Sequence, residues 1–465
     1  MFCERGPGLF LFRQVLYRDL GCASYVVAGD GEAVVVDPRW DIDVYLEIAR
    51  EEDLRIAYIL DTHDHADHVS GRRRLANLTG ARSYHAVSLA DRSDDGIRPG
   101  VEIAVGDVRV RAIGAPGHRP EHIVFAVVDV SRGTDPWMLL TGDSLLVGDL
   151  ARPDLAVEPT EGASLLHASL KSLMELRDHV EVWPGHVGGS LCGGAGLSGK
   201  TSSTIGFERL HNPLLLADHD EFVRGLTQSV PPRPPNVARI VAINRSGGTE
   251  PSAVPELGPG RLREVLQPKV SVLDARPPEA YDEGHLAGSV NLPMCSHGVG
   301  TRAGWSVDPD ERIVIAADTA DVARRMASAL QAVGLWRIVG YLLGDSEEWE
   351  RHGLPVTKSG SWDLDQLAGG LRRDEVDLVD VRDTSEWIAG HVPGSHHIPL
   401  DRLKAGRSVR LAGNGRTTAV ACAAGNRAAF AASLLRRAGH PNVVRISGGG
   451  VADLGDRGIH LDVGV

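Results

Sequence analysis

The chain has 465 residues, 42% of them hydrophobic and 24% charged, enough for two to four domains at about 100–200 residues each. A net charge of −13 excludes the basic stripe of a nucleic-acid binder, and no run approaches the roughly 18 apolar residues of a membrane span. The opening MFCERGPGLFLFRQV lacks a basic segment followed by a long apolar core, and the five cysteines (Cys3, Cys22, Cys192, Cys295, Cys422) are odd in number and scattered. No disulfide framework is expected, and a reducing, cytoplasmic setting is.

Apolar, β-branched runs recur through the first 230 residues: SYVVAG (24–29), AVVVDP (33–38), IAYILDT (56–62), VRVRAIGAP (108–116), IVFAVVD (123–129) and WMLLTGD (137–143). Helical periodicity intervenes at 44–52 and 163–177, the second with Leu165, Leu166, Leu170, Leu173 and Met174 along one side. Strands and helices alternating in this way predict a layered α/β domain. VPPRPPN (230–236) then reads as a stiff linker. Behind it the sequence repeats: VLDARPPEAYDEGHLAGSVNLPM (272–294) aligns without gaps on LVDVRDTSEWIAGHVPGSHHIPL (378–400). Asp274 falls on Asp380, Arg276 on Arg382, His285 on His391, Gly288 on Gly394 and Pro293 on Pro399. Two duplicated domains follow, too few units for a stacked solenoid. The domains expected are 1–240, 258–356 and 360–465.

DTHDHADHVSG (61–71) crowds three histidines and three aspartates into eight positions after an apolar run. His118 in APGHRPEH, Asp143 in LLTGDSL and His186 in VWPGH also follow apolar runs, as ligands do when strands of one sheet deliver them to a common edge. Neutral imidazoles with a carboxylate suit zinc, iron or manganese. A lone histidine would be read as core packing; this set is read as a metal site.

The motif THDHADH (62–68), with His118, Asp143 and His186 in order, resembles the metallo-β-lactamase superfamily over about residues 10–220. That resemblance implies an αββα sandwich with the metal at one edge of the paired sheets. It covers both two-metal hydrolases such as glyoxalase II and mononuclear iron persulfide dioxygenases. TGDSLLVGDLARPDL (141–155) is similar to the persulfide dioxygenases fused to sulfurtransferase domains. By that resemblance one Fe(II) per chain is held by His63, His118 and Asp143, leaving positions open for substrate sulfur and O₂. His65, Asp67, His68 and His186 become supporting or substrate-side groups. Cys192 resembles a cysteine near the pocket in such fusions, and a plain loop thiol is the alternative. Arg119 departs from the family, where a threonine follows the histidine.

TTAVACAAGNRAAF (417–430) places Cys422 at a strand end, with a loop, Ala423, Ala424, Gly425 and Asn426, leading through Arg427 into an alanine-rich helix. Inward-pointing backbone N–H groups, a helix N-terminus and a nearby arginine favour thiolate. The pattern, over about 363–465, resembles a rhodanese, whose cysteine carries a persulfide sulfur; Ala428 replaces the usual serine. The first repeat has Ala316 and Ala317 at the matching place and is expected to be silent. GAGLSGKT (194–201) matches a phosphate-loop pattern but follows another glycine-rich stretch, and is read as a chance match.

The whole order resembles bacterial persulfide dioxygenase–sulfurtransferase fusions. The resemblance implies a soluble homo-oligomer that turns a low-molecular-weight thiol persulfide and O₂ into sulfite and exchanges sulfane sulfur with thiosulfate or sulfite through Cys422 and Arg427, in sulfide detoxification. Neither nucleic acid nor membrane is an expected partner. The alternative is a glyoxalase II-like thioester hydrolase with two zincs.

Overall fold

The computed structural model describes residues 10–87, 95–188, 190, 192–193, 197–228, 230, 233–247, 251–266, 270–295, 297–403 and 415–464. The chain divides into two units, Met1–Thr249 with Ala332–Gly334, and Glu250–Gln331 with Leu335–Val465. Among the described residues no helix is long and apolar enough to cross a membrane.

Two six-stranded sheets form the first unit. One runs Leu11–Tyr17, Cys22–Gly29, Glu32–Val36, Arg55–Asp61, Arg82–Ala86, Gly96–Ile97; the other runs Ser203–Thr204, Glu181–Pro184, Met138–Gly142, Ile123–Asp129, Val108–Gly114, Glu102–Val105. Their inner faces share one core, in which Val27, Val34, Val36 and Leu60 meet Val110, Phe125, Val127 and Leu140. The outer face of the first sheet packs Val35, Ile56 and Ile59 against Tyr45 and Leu75 of the helices Asp43–Glu51 and Arg72–Thr79. The outer face of the second packs Val124, Ala126 and Leu139 against Leu166, Leu170 and Phe222 of the helices Pro159–Leu173 and His219–Thr227. Strands covered on both sides must be apolar throughout, and every residue of Ile123–Asp129 is buried. The result is an αββα sandwich. The helix expected at 163–177 begins earlier because the Glu158 side chain caps it and Pro159 fits its first turn.

The second unit contains both repeats. Four parallel strands in the order Val290–Asn291, Val270–Asp274, Arg312–Ala317, Ile338–Leu343 make the first sheet; five in the order Gly360–Trp362, Val443–Ile446, Thr417–Ala421, Val376–Asp380, His396–His397 make the second. The shared motif is one structural device used twice. Asp274 grips Arg276, whose Nη2 donates to Gly284 O at 2.9 Å; Asp380 grips Arg382, whose Nη2 donates to Gly390 O at 2.7 Å. His285 stacks on Tyr281 and His391 on Trp387, with ring centroids 3.7 and 3.9 Å apart.

Candidate metal centre and sulfur-carrying loop

His63 follows the strand Arg55–Asp61, His118 follows Val108–Gly114, Asp143 follows Met138–Gly142 and His186 follows Glu181–Pro184. The last three strands run in one direction, so their ends reach the same edge of the sandwich. The first sheet is tied to this edge by Ile123 N donating to Thr62 O at 2.8 Å and Ala23 N donating to Gly185 O at 2.7 Å.

At that edge Nε2 of His63 and Nε2 of His118 lie 3.8 and 3.5 Å from Asp143 Oδ2, all three within 4.8 Å of one another and buried. None of these three atoms has a hydrogen-bond partner among the described residues. The remaining polar atoms of the same side chains are satisfied, and the pattern fixes the tautomers. Thr62 Oγ1 donates to Asp37 Oδ2 at 2.9 Å and therefore accepts from His63 Nδ1, also at 2.9 Å. His118 Nδ1 donates to Arg152 O at 2.8 Å. Both Nε2 lone pairs are thus free and point at a common centre. Burial, above all, holds both imidazoles below the usual histidine range, while Asp143, despite burial, is held below the usual carboxylate range by His186. Two neutral imidazoles and an ionised carboxylate, each with an unsatisfied buried donor atom, fit a divalent cation.

Asp67, His68 and His186 bind one another, and His65 turns to Asp37, its Nδ1 keeping no partner among the described residues. His186 Nδ1 donates to Asp143 Oδ1 at 2.7 Å and its Nε2 lies 2.9 Å from Asp67 Oδ2; Asp67 Oδ1 is 3.0 Å from His68 Nδ1. Burial opposes a charge on His186, but the carboxylates on either side win and raise it well above the histidine range. His65 Nε2 donates to Asp37 Oδ1 at 3.1 Å; burial lowers this histidine's affinity for a proton, and Asp37 outweighs it, raising the pKa to about 9. Cys192 is buried close to Asp67 and His186, and burial pushes its thiol up to about 12.

Three participants went unseen in the sequence. Cys22 Sγ is 3.3 Å from His186 Nε2 and 3.4 Å from Asp67 Oδ2. Asp37, at φ 51, accepts from Thr62 N at 2.7 Å as well as from Thr62 Oγ1 and His65. Asn244, on the helix Val237–Ser246, clamps the histidine loop: Nδ2 donates to His65 O and His68 O, both at 3.0 Å, and Oδ1 accepts from Ser70 N at 2.9 Å. The stretch read as a linker, whose Pro231 and Pro232 lie outside the described residues, thus precedes a helix of this same unit. Gly71 closes the loop where a Cβ would sit 2.1 Å from Arg39 O. Of the phosphate-loop match, Gly194, Ala195 and Gly196 lie outside the described residues, and Lys200 is followed by the strand Ser203–Thr204 instead of a helix.

In the second repeat Cys422 ends the strand Thr417–Ala421, in the middle of its sheet, and the helix Asn426–Arg437 begins four residues later. Gly425, at φ 93, turns the loop so that its N–H donates to Cys422 Sγ at 3.0 Å. Gly450 lets the neighbouring chain approach, since a Cβ there would lie 2.1 Å from Ala423 O. Cys422 is buried, whereas Ala423 and Ala424 are exposed. Arg427 does not aim freely at the sulfur: Nη1 and Nη2 donate to Glu386 at 2.6 and 2.8 Å, and Nη1 to Asp383 at 3.3 Å. In the first repeat Asp274 pairs with Ala316 as Asp380 pairs with Ala421. Ala317 therefore occupies the place of Cys422, one residue later than the gapless offset gives.

Residues 17–186 match the metallo-beta-lactamase superfamily, and residues 259–352 and 363–454 each match the rhodanese-like domain. The chain is a metallo-beta-lactamase superfamily domain joined to two rhodanese-like domains. Among curated relatives, the mitochondrial persulfide dioxygenases of Homo sapiens and Bos taurus are 28% identical over 254 and 250 residues, 53% of this chain in both cases and 93% and 92% of theirs. A hydroxyacylglutathione hydrolase of Anaeromyxobacter dehalogenans is 30% identical over 167 residues, 35% of this chain and 60% of its own. The crystal structure of a metallo-beta-lactamase from Staphylococcus aureus superposes with a TM-score of 0.63 at 28% identity, covering 72% of this chain and 99% of that one. That coverage exceeds the metallo-beta-lactamase domain alone and extends into the rhodanese-like part.

Proposed function

We propose that this chain is a persulfide dioxygenase with sulfurtransferase activity, oxidising a low-molecular-weight thiol persulfide such as glutathione persulfide with O₂ to sulfite. His63, His118 and Asp143 would hold one iron(II). When bound, it supplies the one-electron redox chemistry through which singlet persulfide and triplet dioxygen react. The observation that carries this reading is the division of the seven metal-set side chains. Three of them, His63, His118 and Asp143, keep unsatisfied donor atoms within 4.8 Å of one another, whereas His186 and His68 Nδ1 are engaged by Asp67; His65, held by Asp37 through Nε2, also keeps a buried Nδ1 without a partner among the described residues. The two-zinc hydrolase reading would require the Asp67–His186 contact to open.

The chain's own groups then have separate tasks. Thr62 and Arg152 O hold the two imidazoles in the ligating tautomer. His186 keeps Asp143 ionised and leaves Oδ2 outward. His63, His118 and Asp143 are themselves buried, which limits water at their donor atoms. At the second site, Cys422 thiolate attacks the sulfane sulfur of thiosulfate; the S–S bond breaks and sulfite leaves with its electron pair. A thiol's thiolate then attacks the Cys422 persulfide, takes the outer sulfur as a new persulfide and returns Cys422 to thiolate. Run backwards, the same exchange makes thiosulfate from sulfite. Arg427 positions the loop through Glu386 and Asp383. The setting we propose is a cytoplasmic homo-oligomer.

The test is metal analysis of the purified protein together with O₂ uptake on glutathione persulfide. About one iron per chain and persulfide-dependent uptake are expected. Two zincs with no uptake would reject the proposal in favour of the hydrolase.

A further inference from the structure

Arg119, next to His118, is only 4% exposed. Its Nε donates to Glu121 Oε1 at 2.9 Å. The same oxygen accepts from Asp64 N at 3.3 Å, so the guanidinium is tethered between the loop of His118 and the residue after His63. Arg119 O accepts from Gly117 N and His122 N at 3.2 and 3.3 Å, which fixes the backbone beneath it. Nη1 and Nη2 have no partner among the described residues, and neither is sealed from solvent.

A guanidinium carries five N–H donors, and one carboxylate oxygen engages one of them here. Its Nη1 and Nη2 remain open to solvent, so an incoming anion can take them without breaking a contact within the protein. The free Nη1/Nη2 edge is a planar fork whose natural complement is a pair of coplanar oxygens. A threonine hydroxyl at this position offers no such fork.

We propose that Arg119 is the anion-recognising residue of the metal pocket, its free Nη1/Nη2 edge taking a paired-oxygen anion of the substrate or product. This rests on the persulfide reading of the site. Two sources bring that chemistry: a carboxylate of the thiol carrier, or the sulfite released by oxidation. Either way the role is specificity.

The experiment compares wild type, Arg119→Thr and Arg119→Lys as full-length protein at matched iron content. Calorimetric titrations use sodium sulfite, S-methylglutathione and the diethyl ester of S-methylglutathione. The threonine variant should bind one anion about tenfold or more weakly, with lysine recovering part of the loss. Weakening confined to sulfite assigns the product. Weakening of S-methylglutathione beyond that of its ester assigns the carboxylate. With glutathione persulfide, KM should rise more than kcat falls. The proposal is overturned if wild type binds neither anion, if no anion affinity changes, or if acid and ester weaken equally. Should wild type show no persulfide-dependent O₂ uptake while Arg119→Thr still weakens anion binding, the dioxygenase reading fails and the recognition assignment stands.

Discussion

Replacing Thr62 by valine tests whether the histidine tautomer at the candidate centre is set from behind. The side chain is fully buried, and valine keeps its shape. What is lost is one oxygen that receives the His63 Nδ1 proton at 2.9 Å while donating to Asp37 Oδ2 at 2.9 Å. Without it His63 has no acceptor for Nδ1–H and gains by moving the proton to Nε2, the atom aimed at the metal. Asp37 keeps two donors, Thr62 N and His65 Nε2. A hydrogen bond to a charged group is worth about 1.5–3 kcal/mol, and loss of such an outer partner typically lowers metal affinity by about 10–100-fold. Those figures agree, since tenfold corresponds to about 1.4 kcal/mol. Anaerobic chelator competition reads the iron(II) dissociation constant, and circular dichroism checks the fold. Thr62→Ser, which keeps the hydroxyl, should stay near wild type. If Thr62→Val folds and holds iron as tightly as wild type, the tautomer argument is wrong.

Cys422→Ser should abolish thiosulfate–thiol exchange and leave persulfide-dependent sulfite formation in place; undiminished exchange would show that the carrier lies elsewhere. Gly425→Ala makes only an ordinary contact, with Ile446 O at 3.5 Å, so the penalty is backbone strain at φ 93, about 1–3 kcal/mol. Sulfur transfer should fall while the iron content is unaffected. Asn244→Ala releases the loop at three points and leaves Ser70 N without a partner; a loss of about 1–3 kcal/mol in unfolding free energy is expected, read by denaturant titration, with iron affinity falling alongside. Unchanged stability would mean that water replaces the clamp.

The layered fold was legible because its strands are covered on both faces. IVFAVVD and WMLLTG have no polar side to hide, so uninterrupted apolar runs marked them, and the helices between carried their own period. The position of the candidate set was legible for a related reason: a histidine or aspartate directly after such a run lies at a strand end. What the sequence hid is what supports those residues. Asp37 ends AVVVD like any turn residue, and its left-handed backbone leaves no compositional trace. Asn244 lies far along the chain from the carbonyls it holds, and Cys22 sits inside a strand, where a thiol usually only packs. In each case only folding creates the contact. Arg119 was visible as a departure from a pattern, but its unused donors were not.

The two rhodanese-like domains share a framework and differ at one loop. Both keep the Asp–Arg grip, the arginine bond to a glycine carbonyl and the histidine stacked on an aromatic ring, and in both these elements tie strand to loop. They are therefore the parts the fold needs. The difference lies at the loop after the third strand of the motif. From the residue paired with the motif aspartate, four residues lead to Asn426 in one repeat, whereas three lead to Ala320 in the other. The shorter loop has neither a cysteine nor a glycine at φ 93 to turn an N–H toward one. The repeat without the cysteine also supports the other. Ser433 Oγ, on the helix that follows Cys422, accepts from Asn291 N at 3.0 Å, and Arg437 Nη2 on the same helix donates to Ser306 O at 2.9 Å. The helix whose N-terminus closes the Cys422 loop thus leans along its length on the repeat that has alanine at the matching place, which gives that repeat a structural task of its own.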